Sequence, residues 1–499
     1  MSGWGGGYVT DIPYTVGYYE YQSPVMAALA AIMGGYVAPI PAGDDPVLML
    51  ELGCGFGYTA LALAASNPNW TIVGVDFNPA HIAGARAWAA EAGLKNVTFI
   101  EGDFTRWEED PTLRNLPQQD FVTMHGIWSW ISPAAQRGIV RLLGEKVRPG
   151  GLVHVSYNAL PGWSEMMGPA RLIREIGQRT AGTSDKKARA GIDVLRELAK
   201  TEAYYLHNRP NLASRLETME KAEATYLAHE FMNEQWAPCF VTDVAAMMGE
   251  AKLEYAGASR LQENFPELVL NQEQRVLWDS QTDPVLRELI VDHCISRGLR
   301  HDVYVRGARR STGRERNETL MNLSLNLVKR VDALPDELAV PAGKAELNKA
   351  FYLPIVQALS TRPWRVRDLL GLPGLVGQRD NPAELVGILI GAELAVPALR
   401  PMSPPGEAAS RFNAVTAMRM ARTEVLNRGV AAACQPTGTP IMTPLLALIV
   451  CKYMRDGITD VEGLIRALDA PPGQEEEARS SVMSCLERFI PILKVAGAC

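Results

Sequence analysis

The sequence predicts an α/β protein built on a doubly wound, Rossmann-like parallel sheet, and two features carry this prediction. From Pro46 to Asn158, short apolar runs alternate with segments of helical composition, as is typical of strands buried between two layers of helices. A glycine-rich turn, Glu51-Leu-Gly-Cys-Gly-Phe-Gly57, joins the first apolar run to the helix that follows it. Sheets of this class bind their ligands at such turns, outside the carboxyl ends of the strands.

Strands and helices in this region follow from local composition. The predicted strands are the runs Val47–Leu52, Thr71–Asp76, Asn96–Asp103, Asp120–Gly126 and Gly151–Asn158. The predicted helices are Tyr58–Ala65, Pro79–Ala92 and Ser132–Val147. Pro79 suits the first turn of a helix, and Ser132 is a good N-cap. The order of these elements predicts a parallel sheet with helices on both faces.

The next part of the chain has two interpretations. Gly162 to Trp236 has helical composition and many charges, Val241–Ser259 reads as a helix entering a strand, and His301–Arg306 reads as a late strand. Either a helical insertion interrupts a sheet that the late strands complete, or an all-helical domain begins at Gly162. We adopt the insertion. It gives a first domain of residues 1–310, with a core at about 40–160, an insertion at about 163–237 and closing strands at about 253–306.

Residues 311–499 are predicted to form a mainly helical region that binds a substrate or a partner. A polar, basic linker, Gly307–Asn317, leads into it, and the stretch from Phe351 to Val396 resembles a small winged-helix-like unit. Arginines at 362–367 could touch DNA phosphates. In an acidic chain, a protein-docking or dimer surface is the favoured interpretation, and the oligomeric state stays open, with a homo-oligomer as one alternative.

Composition excludes several classes of protein. The chain has 499 residues, is 47% hydrophobic and carries a formal net charge of −7, which argues against general nucleic-acid binding. No apolar run reaches the roughly 18 residues of a membrane span, and residues 1–11 lack a leader pattern. The seven cysteines form no Cys-x-x-Cys and the histidines no His-Glu-x-x-His. We therefore expect a cytoplasmic protein without membrane insertion, disulfide framework or metal.

The glycine turn and the strand ends that follow it form one candidate ligand site. Gly53 and Gly55 allow a ligand to approach the backbone closely. Asp76 ends the second strand, where a carboxylate can hydrogen-bond ribose hydroxyls. Asp103 and Phe104 end the third strand and offer a carboxylate for an adenine amino group and a ring for its face. The turn lacks the Gly-Lys-Ser/Thr of a P-loop and the spacing of a dinucleotide site.

This set of residues resembles the S-adenosyl-L-methionine (SAM) site of class I methyltransferases. The resemblance implies SAM as cofactor and S-adenosyl-L-homocysteine as product, with no metal. Glu51 would face the methionyl and adenosyl end, and Asp76 and Asp103 would hold the ribose and the adenine. The complete predicted cofactor site is Glu51, Gly53, Gly55, Asp76, Phe77, Asp103, Phe104 and His125.

Longer segments narrow the resemblance to one group. These are Tyr14–Tyr18 (YTVGY) with Pro24, Trp128–Ile131 (WSWI), Ser156–Trp163 (SYNALPGW), Tyr226–Pro238 (YLAHEFMNEQWAP) and His301–Gly307 (HDVYVRG). Over residues 8–310 the chain resembles bacterial methyltransferases with a "methyltransferase regulatory domain", which include the rickettsial-type protein lysine methyltransferases. Group members of known activity methylate lysines of surface proteins. His229 and Glu230 gain interest from this resemblance, although a solvated or core-lining helix face is their favoured interpretation.

Methylation of a lysine nitrogen requires a desolvated pocket, which aromatic walls can supply. The predicted substrate-binding residues are Tyr14, Trp128, Trp130 and Trp163, with Tyr19 as a further candidate. The predicted catalytic residues are His125, Tyr18, Tyr157 and Asn158. Alternatives stay open for several of them. One or both tryptophans of the WSWI segment could pack under the insertion, and His125 could be a general base, a backbone contact of the cofactor or a cap of its strand.

Three functions are compatible with these observations. The first is SAM-dependent methylation of a protein, at a lysine nitrogen. The second is O- or N-methylation of a small-molecule acceptor in specialised metabolism, with the insertion as a lid. The third is a SAM-binding scaffold without catalytic activity.

Overall fold

The computed structural model describes residues 5–469 and 473–499, so residues 1–4 of the segment considered for a leader lie outside it. It confirms the predicted fold class. The main sheet consists of β1 (Val47–Leu52), β2 (Trp70–Asp76), β3 (Val97–Glu101), β4 (Gln119–Met124), β5 (Val147–Asn158), β6 (Leu253–Ala258) and β7 (Leu299–Arg306). Their spatial order is β3-β2-β1-β4-β5-β7-β6. The strands β1 to β5 are parallel, and β7 runs antiparallel to both of its neighbours.

Helices cover both faces of this sheet. Those of the first part of the chain are α1 (Pro24–Met33), α2 (Tyr58–Ser66), α3 (Pro79–Ala92), α4 (Pro111–Arg114) and α5 (Pro133–Lys146). The insertion contains α6 (Met167–Arg179), α7 (Ser184–Lys200), α8 (Tyr204–His207), α9 (Pro210–Lys221) and α10 (Ala224–Phe231). Between it and β7 lie α11 (Val241–Glu250), α12 (Pro266–Val269), α13 (Gln272–Asp279) and α14 (Pro284–Ile295). Short 3-10 helices lie at Glu20–Gln22, Trp128–Trp130, Ser164–Met166, Leu261–Asn264 and Val331–Ala333.

Successive strand residues contribute to two different cores, as the pleat of a strand requires. Met49 and Ile72 pack with α1, α2 and α3 on one face, whereas Leu50 and Val73 pack with α5 and α11 on the other. The insertion has a third core of its own, to which Val9 of the N-terminal segment also belongs. The late strands β6 and β7 extend the sheet beyond β5, so the sheet is not complete at Asn158.

Most strand and helix boundaries lie close to those predicted from local sequence, and β5 is an exception. It begins at Val147 rather than at Gly151, because the segment Pro149-Gly150-Gly151 forms an irregularity within the strand instead of preceding it. Glycine and proline are tolerated in strands at such bulges. Ser132 caps α5 through its side chain, which accepts a hydrogen bond from the N–H of Ala135, as its position predicted.

The C-terminal region is helical with small sheets. Its elements are α15 (Gly313–Asn322), β8 (Ser324–Leu327), β9 (Glu337–Val340), β10 (Gly343–Glu346), α16 (Lys349–Leu359), β11 (Trp364–Arg365), α17 (Val366–Leu370), α18 (Pro382–Gly391), β12 (Ala395–Ala398), α19 (Glu407–Met420), β13 (Gly429–Ala432), β14 (Ile441–Pro444), α20 (Leu445–Arg455), α21 (Val461–Leu468), α22 (Glu475–Arg488) and α23 (Ile490–Ala496). In the segment predicted to be winged-helix-like, α16 to α18 accompany the three-stranded sheet β11-β8-β12.

Two features of this region differ from the sequence-based expectation. The expected linker Gly307–Asn317 contains the start of α15, where Thr312 and Glu315 form a capping box. Cys451 and Cys499 form a disulfide with Cα atoms 5.3 Å apart, a pair that their scattered spacing did not indicate. In the described residues, no helix combines the length and the apolar composition that crossing a membrane requires.

The C-terminal region packs directly against the main sheet's helices. The ring of Tyr58 on α2 stacks on Trp88 of α3 at 5.1 Å and on Phe412 of α19 at 6.1 Å between ring centroids. The hydroxyl of Tyr58 also accepts a hydrogen bond from the N–H of Ala431 at 2.9 Å. These contacts fix the C-terminal region beside the helix that follows the glycine turn.

Candidate active site

A cavity of about 780 Å³ opens at the carboxyl ends of β1, β2, β3 and β4. Every residue of the predicted cofactor site lines it, namely Glu51, Gly53, Gly55, Asp76, Phe77, Asp103, Phe104 and His125. The sequence therefore identified residues that the fold brings together. Their individual roles toward a cofactor stay a prediction, taken up below.

The glycine turn forms an open backbone floor for this cavity. Gly53 has a φ of +70°, and a Cβ built there would lie 2.4 Å from Cγ2 of Ile127. Both the backbone conformation and the lack of space therefore exclude a larger residue. Gly55 has a φ of +54° and no atom within 4 Å of a built Cβ. A side chain there would occupy the cavity itself, which explains the need for glycine.

Asp76, at the end of β2, holds the turn in place. Its Oδ2 accepts a hydrogen bond from the N–H of Gly55 at 2.9 Å, and its Oδ1 accepts one from the N–H of Asn78 at 2.9 Å. Nδ1 of His81 lies 3.3 Å from the same Oδ1. The carboxylate is buried, so its orientation toward the cavity is fixed before any ligand binds.

Glu51 is a buried carboxyl group whose Oε2 has no hydrogen-bond partner in the described part of the chain. Burial, with the nearby charge of Asp76, raises the pKa of Glu51 to about 8, although hydrogen bonds with Ala60 and Gln22 oppose the shift. Unpartnered buried carboxyls are costly. A cationic ligand in the cavity would remove that cost, as SAM, with its sulfonium and ammonium groups, would do.

The N-terminal segment covers the cavity. We call residues 5–19 the N-terminal strap, and Tyr8, Tyr14 and Tyr19 are its aromatic residues that line the cavity. Asn233 accepts a hydrogen bond from the N–H of Val9 at 2.8 Å through Oδ1. Insertion and strap thus meet directly at this hydrogen bond.

His229 gives the strap a second anchor. Its Nε2 lies 3.1 Å from the carbonyl oxygen of Ile12, and because a carbonyl only accepts, Nε2 carries the proton. The ring is buried, and Tyr14 meets it edge-on at 5.0 Å between centroids. His229 is therefore buried, in agreement with the core-lining alternative, and it also holds the strap.

Aromatic rings surround the part of the cavity next to His125. Tyr19 stacks on the His125 ring with 3.9 Å between centroids and 27° between planes. Trp130 also lines the cavity and stacks on Trp236 at 6.1 Å. Nδ1 of His125 lies 2.9 Å from Oγ of Ser156, and burial lowers the pKa of His125 to about 3. Sequence reasoning missed Tyr8 altogether and ranked Tyr19 below Tyr18.

Several predicted residues lie outside the cavity, and strand geometry explains the first of them. Tyr157 follows Ser156, which faces His125, so Tyr157 points to the opposite face of β5. Its hydroxyl donates to Asp302 at 2.6 Å in a buried network with Arg300. Asn158 is also buried beside the cavity, and its N–H donates to Oγ of Ser129. Neither Tyr157 nor Asn158 is among the residues that line the cavity.

Tyr18, Trp128 and Trp163 likewise lie outside the cavity lining. Tyr18 is buried in the core that contains α1, because the strap turns Tyr19 rather than Tyr18 toward the cavity. Trp128 is fully buried between β5 and α5, so of the WSWI pair only Trp130 faces the cavity. Trp163 packs against Trp236 at 5.3 Å and donates from Nε1 to the carbonyl of Gly298 at 2.7 Å.

Models of two known protein families match two segments of the chain. Residues 49–151 match the family model "Methyltransferase domain", and residues 223–306 match "Predicted methyltransferase regulatory domain". The chain is 33% identical over 366 residues to the uncharacterised protein sll1526 of Synechocystis, covering 73% of this chain and 71% of that protein. The chain belongs to the SAM-dependent methyltransferases that carry this regulatory domain.

Two further comparisons relate this methyltransferase to rickettsial proteins. It is 27% identical over 241 residues to the uncharacterised protein RP789 of Rickettsia prowazekii, covering 45% of this chain and 41% of that protein. The structure of PKMT2 from Rickettsia typhi in complex with AdoHcy has the same fold, with a TM-score of 0.69, 16% identity and coverage of 97% of this chain and 99% of that chain. SAM is the cofactor of this methyltransferase. The regulatory-domain match includes the strap anchors His229 and Asn233.

Proposed function

We propose that this methyltransferase transfers a methyl group from SAM to a lysine side-chain nitrogen of a protein. The observation that carries the proposal is that the uncharged aromatic side chains of Tyr14, Tyr19 and Trp130 line the same cavity as the glycine turn. Aromatic faces attract an alkylammonium group, and burial among them favours the neutral amine that attacks. The resemblance to rickettsial-type protein lysine methyltransferases and the fold shared with PKMT2 support the same acceptor.

The cofactor would lie along the strand ends. The open floor at Gly55 and the unpartnered carboxyl of Glu51 fit a cationic nucleoside ligand. We assign the floor to Gly53 and Gly55, the methionyl end to Glu51 and the ribose to Asp76. Asp103, Phe104 and Phe77 would surround the adenine, with His125 near the donor end. SAM supplies an electrophilic methyl group on a sulfonium.

The chain's own residues then align the acceptor and exclude water. The lysine nitrogen forms a bond to the methyl carbon as the sulfur–carbon bond breaks, and the proton that the ammonium loses goes to solvent. In-line transfer depends mainly on orientation and on a dry site. The strap, held at Val9 and Ile12, closes the cavity above the turn.

Acidic residues among those that line the cavity suit a lysine-bearing chain. Glu101, Glu109 and Asp110 line the cavity together with the residues assigned to the cofactor, whereas Arg106 is a basic exception. Carboxylates in a binding cavity raise the local concentration of a cationic side chain. This acidic lining favours a basic peptide segment over an anionic metabolite.

The C-terminal region, which we assign to residues 311–499, is proposed to select the protein substrate. Its Arg428 donates a hydrogen bond to the carbonyl of Val16, a strap residue that lines the cavity. This contact joins the region to the edge of the site, where a bound protein would touch both.

The test uses SAM labelled on its methyl group and whole-cell extract separated into macromolecular and small-molecule fractions. We expect protease-sensitive label in the large fraction and methyl-lysine after acid hydrolysis. A matched extract whose amines have been acetylated should accept no label, because its lysine nitrogens are blocked. Label that survives acetylation would overturn the lysine assignment, and label confined to small molecules would identify a metabolite methyltransferase. Folded Asp76→Asn protein serves as the cofactor-deficient control.

A further inference from the structure

Three histidines from different strands converge beneath the cavity. In the sheet register Thr123 pairs with His154, and Ser156 pairs with His301. Paired residues share a face, as do residues two apart in one strand, so His125, His154 and His301 lie on the same side of β4, β5 and β7. Strand pairing, and no local sequence motif, brings them together.

The ring nitrogens of the three histidines are close enough to share an ion. One nitrogen from each ring lies within 4.8 Å of the corresponding nitrogens of the other two. Zinc–nitrogen bonds of about 2.0–2.1 Å place tetrahedral ligand atoms roughly 3.4 Å apart. Convergence of the ring nitrogens by about 1 Å is therefore required.

Two of these rings have buried nitrogens that could bind a ligand. Neither nitrogen of the buried His301 ring has a partner in the described residues, and the same holds for Nε2 of His154. Polar atoms buried in this way are rare and costly. A bound cation would take up Nε2 of His154 and one of the two nitrogens of His301.

The tautomer of His154 suits a metal ligand. Oγ1 of Thr123 lies 2.9 Å from Nδ1 of His154 and donates to Oε1 of Gln22 at 3.2 Å. Because the hydroxyl has only one proton to donate, it accepts from Nδ1–H, and Nε2 keeps its lone pair. Metal-binding histidines are oriented by this kind of outer hydrogen bond.

We propose that His125, His154 and His301 bind a divalent transition-metal ion. Imidazole nitrogens are the preferred ligands of zinc and its neighbours in the first transition series. Three-histidine sites keep a further position for water or substrate, and His125 forms part of the cavity wall. The ion would hold the ring on which Tyr19 stacks.

Nearby arginines do not exclude a cation. Arg260 and Arg297 act on the His301 ring electrostatically. Both are already paired with carboxylates, Arg297 with Glu263 at 3.4 Å and with Glu288 at 3.1 Å, and Arg260 with Glu263 at 3.8 Å. Their charges are thus partly neutralised before a metal arrives. The proposed metal site does not depend on which acceptor is methylated. It differs from the expectation of a protein without metal, because no sequence motif with metal-ligand spacing encodes these three histidines.

The test uses tag-free full-length protein, stripped with a chelator and titrated with Co²⁺. We expect saturation at one equivalent with visible bands of four-coordinate cobalt. His301→Gln should weaken binding at least a hundredfold, whereas His293→Gln, on the exposed side of α14, should bind like the wild type. Equal binding by folded His301→Gln protein, or no saturable spectrum in the wild type, would overturn the proposal.

A second measurement uses the wild-type protein, so its result does not depend on whether a variant folds. X-ray absorption of the zinc-loaded wild type should show three imidazole nitrogens at about 2.0 Å. A first shell of oxygen or sulfur atoms would overturn the assignment of these ligands.

Discussion

The carboxylate of Asp76 accepts a hydrogen bond from the N–H of Gly55 at 2.9 Å, which joins the end of β2 to the centre of the glycine turn. A residue predicted from sequence as a ribose ligand thus also fixes the cofactor floor. Loss of its charge would weaken the proposed ribose contact and loosen the turn together.

Asp76→Asn should weaken SAM binding by about 1–3 kcal/mol, since the amide replaces a charged acceptor in a buried site. Isothermal titration calorimetry on the purified protein measures the change. Asp332→Asn, which alters an exposed partner of Arg330, is the matched control and should bind SAM normally. Unchanged affinity in folded Asp76→Asn protein would contradict the assignment.

Affinity for SAM should rise with pH through about 8. Burial raises the pKa of Glu51 to about 8, so the carboxyl is protonated at neutral pH in the free protein. A cationic ligand favours the carboxylate, so binding releases this proton and becomes tighter as the pH increases. The slope approaches about tenfold per pH unit below pH 8 for one coupled proton.

The Glu51→Gln variant isolates this effect from titration of SAM itself. Dissociation constants measured from pH 6 to 9 should show a steeper pH dependence for the wild type than for the variant. Identical profiles would mean that Glu51 does not exchange a proton with the bound state.

Asn233→Ala should release the N-terminal strap. The substitution removes the acceptor for the N–H of Val9 and the donor to the carbonyl of His229. Hydrogen–deuterium exchange should accelerate over residues 7–12, and methyl transfer should slow by roughly ten- to a hundredfold as the site loses its orientation. Asn208→Ala, an exposed change on the insertion, should leave both unchanged. Protected strap amides in Asn233→Ala protein would show that other contacts suffice.

The cofactor half of the site was predictable because it is encoded locally. Gly53, Gly55 and Asp76 follow directly from strand ends, and parallel strands bring their carboxyl ends to one edge. The acceptor half depends on contacts between distant parts of the chain. Val9 contacts Asn233, which lies 224 residues further along the chain. An irregular segment such as the strap has no helical or strand periodicity, so its sequence does not indicate that Tyr19, rather than Tyr18, faces the cavity.

Strand alternation would have corrected one prediction and revealed another feature. Ser156 and Tyr157 must face opposite sides of β5, so both could not join His125. The same rule places His154 on the side of Ser156. The position of His301 required the antiparallel register of β7, which the sequence alone does not specify.

Tyr157→Phe should lower stability and leave SAM binding intact. The hydroxyl donates to Asp302 at 2.6 Å, and its loss leaves a buried carboxylate with one partner fewer, at a cost of about 1–3 kcal/mol. Thermal unfolding with a parallel calorimetric titration separates the two effects. Tyr205→Phe, whose hydroxyl is at the surface of the insertion, should change neither. Weakened SAM binding with unchanged stability would restore a functional role for Tyr157.

Trp128 and Trp130 provide a matched test of the acceptor wall, since they are two residues apart but only Trp130 lines the cavity. Trp130→Ala should raise the KM for extract protein by several-fold, because a cation–π contact contributes about 0.5–2 kcal/mol, with the affinity for SAM unchanged. Trp128→Ala empties a fully buried site and should cost about 3–5 kcal/mol of unfolding free energy. Initial rates of label incorporation and denaturant unfolding distinguish them. If Trp130→Ala lost stability and kept its KM, the aromatic wall would be part of the core rather than of the acceptor site.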